Sequence, residues 1–301
     1  MMNTGSTRYL IFFQYIGTKY CGVVRSPAHH QMFGVQNHLE DAVRKLRPLS
    51  DVSLTISSRT DTGVHALSNS AHFDLQRRNN KPPFSEDVLV DALNFHLRQE
   101  PIRVSCAYRV PEGFHARFRA TSRTYVYRLA AGVTRPSQLP LVDLRLCWGL
   151  CNTELNVGAM REAASLLVGT HNFSSFRALN SETPFKDPVK TLDLALLEPG
   201  EAFAHRHFHR EIQFWELTFK SRSFLYKQVR RMTGALVAVG QGKLSVSQLE
   251  KLLEAQDSLA YPQNLTAPPQ GLFLTQVEYQ QQDLQPCGET SGQSSPTLDV
   301  F

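Results

Sequence analysis

No run of about 18 or more apolar residues occurs along the chain, so no membrane-spanning helix is expected. Cysteine is scarce and odd in number. The five, Cys21, Cys106, Cys147, Cys151 and Cys287, are irregularly spaced and read as free thiols in a reducing compartment. Cys147 and Cys151 have no second Cys or His pair beside them, so a zinc site is not expected. Walker motifs, dinucleotide fingerprints and metal-ligand clusters are also missing, so neither a cofactor nor a metal is expected. Met1 to Thr7 is short and polar and leaves no room for an apolar leader. Without a clear presequence, the expected location is intracellular, in cytoplasm or mitochondrion.

What is present points to a folded, basic protein. Apolar residues make up 42% of the 301, with 18 Phe and 9 Tyr, enough for a sizeable core in one large or two ordinary domains. The formal net charge of +5 suits a polyanionic partner, of which nucleic acid is one candidate.

Hydrophobic period sets the order of elements. Tyr9 to Phe13 reads as a buried strand, and Val35, Leu39, Ala42, Val43 and Leu46 recur at helical spacing. Val52, Leu54 and Ile56 alternate, and a second strand follows near Asn69 to Leu75. Ser85 caps a helix carrying Val88, Leu89, Ala92, Leu93 and Leu97, and Ile102 to Tyr108 alternates again. The second half repeats the order. It has a strand near Thr124 to Leu129, a helix through Val157 to Leu167, and strands at 189–196 and 212–219. A long helix from after Ser223 through Val239, a short one at 249–253 and a last strand at 272–277 complete it.

The reading is α+β: two ferredoxin-like β-α-β-β-α-β halves in an extended, mostly antiparallel sheet, helices on one face, a cleft between the halves. The expected domains are 8–112 and 113–280. Residues 281–301, rich in Gln, Ser, Gly, Thr and Pro, read as a disordered tail. His205, His207 and His209 fall in a stretch read as a solvated loop between two strands.

Ser57 to Ala66 separates two strands and concentrates polar function. Asp61-Thr62-Gly63 is good turn chemistry, but a turn does not need Arg59 two residues before the carboxylate. Strand alternation, if it continued so far, would put Arg59 and Asp61 on one side. A guanidinium beside a carboxylate favours its charged form, able to act as nucleophile or general base. Asp61 is the best catalytic candidate on the chain.

Arg59-Thr60-Asp61-Thr62-Gly63-Val64-His65 resembles the R-T-D-x-G-V-H motif of the TruA family of tRNA pseudouridine synthases. Phe114-His115-Ala116-Arg117-Phe118 resembles the family's F-H-A-R block, and Arg123-Thr124-Tyr125-Val126-Tyr127 its R-x-Y-x-Y strand. Phe224 to Met232 resembles the helix ending in V-R-x-M or V-R-N, and the four blocks fall in family order over about residues 8 to 280. Tyr20-Cys21-Gly22-Val23-Val24-Arg25 departs from the pattern: the family's large aromatic and glutamine are absent, which bears on RNA choice.

The resemblance implies an enzyme that converts uridine to pseudouridine in RNA, tRNA first among candidates, without cofactor or metal and as a homodimer. It makes Asp61 the essential carboxylate, whether in attack on the sugar, attack on the base or deprotonation of the sugar. It places Tyr125 against the flipped base and Arg230 beside the carboxylate, with Arg59 as a further substrate-binding residue. Arg231 lies about 100° further round the helix and points elsewhere. Tyr127 reads as structural and His65 as a conformational residue of the loop. Arg117 and Arg123 belong to a basic strip suited to RNA phosphate. The rival reading is an RNA-binding protein without catalysis on the same scaffold. No RNP1-like run supports it, and a pure binder has no need of Asp61. A metal-dependent nuclease would need the clustered carboxylates that the sequence lacks.

Overall fold

The structure, a computed structural model, describes residues 5–27, 29–151, 154–179, 187–201 and 211–285. Strand β1, Thr7–Tyr15, shows how the first half is built. Tyr9, Ile11, Phe13 and Tyr15 alternate onto one face and are buried there. Helix α1, Val35–Lys45, buries Val35, Leu39, Ala42 and Val43 against that face. Its last turn carries Arg44 and Lys45, where cations suit the helix dipole. Strands β2 (Thr55–Ile56) and β3 (His65–Leu75), helix α2 (Glu86–Leu97) and strand β4 (Ile102–Arg109) complete the half. Helix α2 buries Leu89, Leu93 and Leu97, one residue per turn.

The second half contains β5 (Ser122–Val133), β6 (Trp148–Cys151), α3 (Val157–Leu167), β7 (Gly169–Asn172), β8 (Val189–Pro199) and β9 (Gln213–Ser221). Helices α4 (Gln228–Gly240) and α5 (Val246–Glu254) and strand β10 (Leu272–Glu278) follow. The sheet runs β4-β1-β3-β10-β5-β9-β8-β7, with β2 on β3 and β6 on β5. Strand order β4-β1-β3-β2 in the first half is matched by β10-β5-β9-β8 in the second, the same fourth-first-third-second arrangement. All five helices bury their apolar residues in one core cluster that continues through both halves. No helix of the described residues is long and apolar enough to cross a membrane.

The seam between the halves is the edge of β3. Its residues Ala71 and His72 pair with Ile56 and Thr55 of β2, whereas His65 and Ala66 pair in parallel with Phe273 and Leu274 of β10. Strand β2 therefore stops after two residues, because β10 takes the edge it would have followed. The chain leaves that edge at Ile56 and returns to it at His65, and the intervening loop lies at the junction.

Several elements differ from the sequence reading. Strand β2 is shorter than the Val52–Ile56 alternation, and β3 starts earlier, at His65, through His65-Ala66-Leu67-Ser68, where apolar and polar residues do not alternate. Strands β6 and β7, four residues each, were too short to show a period. Helix α4 starts at Gln228, after Lys227 in left-handed conformation (φ 56°). At the C-terminal end, Gln281–Leu284 forms a 3-10 turn, and Leu284 packs against the small cluster of Leu10, Val110, Phe114 and Ala116. The rest of the expected tail and the stretch holding His205, His207 and His209 lie outside the described residues.

Candidate active site

The loop from Ser57 to Val64 is held from below and from both flanks. Asn69, fully buried on β3, donates to Ser58 O at 2.9 Å, and the Tyr15 and Thr60 hydroxyls are 2.7 Å apart. Ser57 N–H donates to Ser70 O at 2.8 Å, and Val23 N–H to Thr60 O at 3.3 Å. Val64 N–H closes a turn on Asp61 O at 3.2 Å, with Gly63 at φ +77°. A left-handed residue is required at that third position of a type II turn, and glycine adopts it without strain.

Close backbone approach explains a second glycine. A Cβ on Gly17 would lie 1.9 Å from Val64 O. His65 reinforces this approach: its Nδ1 accepts from Gly17 N–H at 3.0 Å, and Nε2 lies 3.2 Å from both Arg145 O and Gln270 O. The ring is fully buried and stacks on Phe273, and burial pushes its pKa below the usual histidine value. The neutral tautomer that donates through Nε2 satisfies these contacts. His65 is a cross-brace between the loop and β10.

So braced, the loop presents Asp61 with its side chain about a quarter exposed. Arg230, in the first turn of α4, donates from Nη1 to Asp61 Oδ2 at 3.0 Å. The guanidinium is held from behind, since Nε donates to Ala267 O at 2.8 Å while Ala267 N–H donates to Arg230 O at 3.1 Å. Arg231 points away, donating to Ser175 O and Arg177 O under the Tyr261 ring. Oδ1 of Asp61 has no hydrogen-bond partner among the described residues.

Tyr125 on β5 lies beside this pair. Its ring is buried and meets Phe224 edge-on, centroids 5.2 Å apart. Burial pushes the phenol well above its usual pKa, and Tyr15 and Asp61 push the same way, so the group is a neutral phenol. Tyr127, two residues on, donates its hydroxyl to Pro268 O at 2.7 Å from within the core.

Two expectations require correction. Arg59 is exposed and forms no hydrogen bond or ion pair among the described residues. Strand β2 ends at Ile56, so alternation does not carry Arg59 to the side of Asp61; the guanidinium at the carboxylate is Arg230. Arg123 is not on an RNA-facing strip. It is 7% exposed, and its guanidinium donates to Ser57 O, Ser57 Oγ, Ser58 Oγ, Arg117 O and Arg222 O. A basic residue beside a polar loop looks alike in sequence whether it faces solvent or braces the loop. Arg117 is half-buried, with its guanidinium 5.7 Å from the Phe118 ring.

The Phe114–Arg117 segment is pinned next to this loop. Arg8 donates to Glu112 O and Phe114 O, Ala116 N–H donates to His72 Nδ1 at 3.1 Å, and Tyr279 donates to Ala116 O at 2.6 Å. Phe224 was visible only as part of a motif block, not as the ring against Tyr125, and the Tyr15–Thr60–Asn69 support under the loop was not legible at all. Buried polar residues on strands carry no periodic signal of their own.

A doubled ferredoxin-like sheet thus carries one arginine-held carboxylate at its seam, beside a buried tyrosine. The family model described as tRNA pseudouridine synthase matches residues 11–119 and 163–280, and the chain belongs to that family. It is 54% identical to tRNA pseudouridine synthase-like 1 of Xenopus laevis over 279 residues, 92% of this chain and 93% of the relative. It is 51% identical to the Homo sapiens protein of the same name, with 90% of each covered. The identity to tRNA pseudouridine synthase A of Afipia carboxidovorans is 40%, over 90% of this chain and 99% of the relative.

Proposed function

We propose that this protein isomerises uridine to pseudouridine in tRNA, with Asp61 as the essential carboxylate. The observation that carries the reading is the Asp61–Arg230 pair, set at the seam of the two halves with Tyr125 at its side. Arg230 fixes one carboxylate oxygen and supplies positive charge, while the second oxygen stays open to a substrate. That geometry serves attack on the sugar, attack on the base or deprotonation of the sugar equally well. A uridine within a helix cannot reach Asp61, so the nucleotide is flipped out of its stack. Tyr125, a neutral phenol, offers the ring against which the base packs. Arg59, exposed, and Arg117, half-buried, contact phosphate, which positions RNA without reading its sequence. The active form is a homodimer, following the family.

Family membership and near full-length identity to named synthases support catalysis over RNA binding alone. The test is incubation of purified protein with an unmodified tRNA transcript, without added nucleotide or metal cofactor, followed by nucleoside analysis. Pseudouridine formation is expected. Tight RNA binding with no pseudouridine from any transcript would favour the non-catalytic alternative.

A further inference from the structure

Phe118 is 68% exposed, although Phe114 and Ala116 of the same segment are buried. Its position is set by a compact turn. Phe118 N–H and Arg119 N–H both donate to His115 O, at 3.2 and 3.0 Å, and Arg117 N–H donates to His115 Nδ1 at 3.2 Å. The ring is backed by the His115 imidazole, centroids 4.3 Å apart and planes 35° apart. The Arg117 guanidinium lies 5.7 Å from the ring centroid, and Arg119, the next residue in the turn, is more than half exposed, with a 3.8 Å contact to Asp283. Burial lowers the His115 pKa, and Arg117 and Arg8 add to the effect, so the imidazole is neutral at pH 7.

The Arg123 side chain ties this turn to the loop that carries Asp61. Arg123 donates to Arg117 O at 2.9 Å and, with the same guanidinium, to Ser57 and Ser58 just ahead of Asp61. The exposed ring is therefore fixed relative to the site.

We propose that Phe118, backed by His115 and flanked by Arg117 and Arg119, is a stacking platform for an unpaired base of the substrate RNA next to the nucleotide held at Asp61. The inference rests on the reading of the protein as an RNA-modifying enzyme and extends it to a second base contact. Taking one nucleotide out of a stack leaves its neighbours without a partner face. An aromatic ring replaces that face whatever the base, and adjacent cations hold the phosphates. A single ring between two arginines is too small and too charged to be the apolar patch of a protein interface.

The test compares Phe118→Leu and Phe118→Trp with the wild type, using a tRNA transcript. Both variants keep the wild-type Tm, since the ring is largely outside the core. Phe118→Leu is expected to raise the Kd for RNA and the KM by roughly 5- to 100-fold, leaving kcat little changed. Phe118→Trp is expected to bind as the wild type does, and its added emission, beyond that of Trp148 and Trp215, is quenched by the transcript. Wild-type affinity in Phe118→Leu, or emission from Phe118→Trp unchanged at saturating RNA, would overturn the platform while leaving the Asp61 reading intact. A wild-type protein inactive on every tRNA would overturn the Asp61 reading itself.

Discussion

Arg230 and Asp61 are 169 residues apart in the chain and 3.0 Å apart in the fold. The Ala267 backbone, just ahead of β10, accepts from the same guanidinium, and β10 pairs with β3, the strand that follows the Asp61 loop.

Replacing Arg230 with Ala is expected to lower kcat by roughly 10- to 100-fold, the weight of a hydrogen bond to a charged group. Arg230→Lys retains the charge but cannot reach Asp61 Oδ2 and Ala267 O together, so it recovers only part of the loss. Single-turnover kinetics on a tRNA transcript measures both.

Arg123 and Arg117 are expected to separate cleanly. Arg123→Ala leaves several loop carbonyls and hydroxyls without a donor and destabilises the fold by about 2 to 4 kcal/mol, visible as a lower Tm. Arg117→Ala keeps its Tm but weakens RNA binding for every sequence, and reduces the slope of log affinity against log salt by about one.

Gly17→Ala drives a methyl group into the Val64 carbonyl, where backbone rather than a flexible side chain must give way. A loss of about 1 to 3 kcal/mol is expected, with reduced activity, since the loop carrying Asp61 shifts with Val64. Gly113→Ala, with nothing within 4 Å of the added atom, is the matched control and leaves both unchanged.

His72 sets a pH dependence. Burial first, then Arg8 and His115, lower its pKa from 6.5 to about 4. Between these values the unfolded chain binds a proton that the folded protein does not. Stability from this group is therefore full above pH 6.5 and is lost as pH falls toward 4, by on the order of 3 kcal/mol. His65 and His115, also lowered, act in the same direction. Below this window the carboxyls lowered by their partners, Asp74 by Arg8 and Glu86 by Arg109, add to the loss. A Tm profile over pH 4 to 8 should be flatter for His72→Gln, which keeps an acceptor for Ala116 N–H and does not titrate.

The fold was legible where apolar period was strong. Tyr9 to Tyr15, Val35 to Val43 and Leu89 to Leu97 each announce their element and its buried face. Loops and short strands were not, because β6 and β7 are created by neighbours rather than by local pattern. The chemistry of the site was half legible. Turn residues and an isolated carboxylate singled out Asp61. A reading confined to adjacent residues chose Arg59 as its partner, and only the resemblance drew attention to Arg230. Arg123 shows the converse: a cation amid polar residues reads as surface, whereas here the loop's own carbonyls supply enough acceptors to bury it.

The central claim is tested most directly by Asp61→Asn. The amide is isosteric, and its oxygen still accepts from Arg230, so Tm and RNA affinity are expected to hold while pseudouridine formation falls by roughly 10²- to 10⁴-fold. Turnover at the wild-type rate in a verified Asn variant would contradict the account.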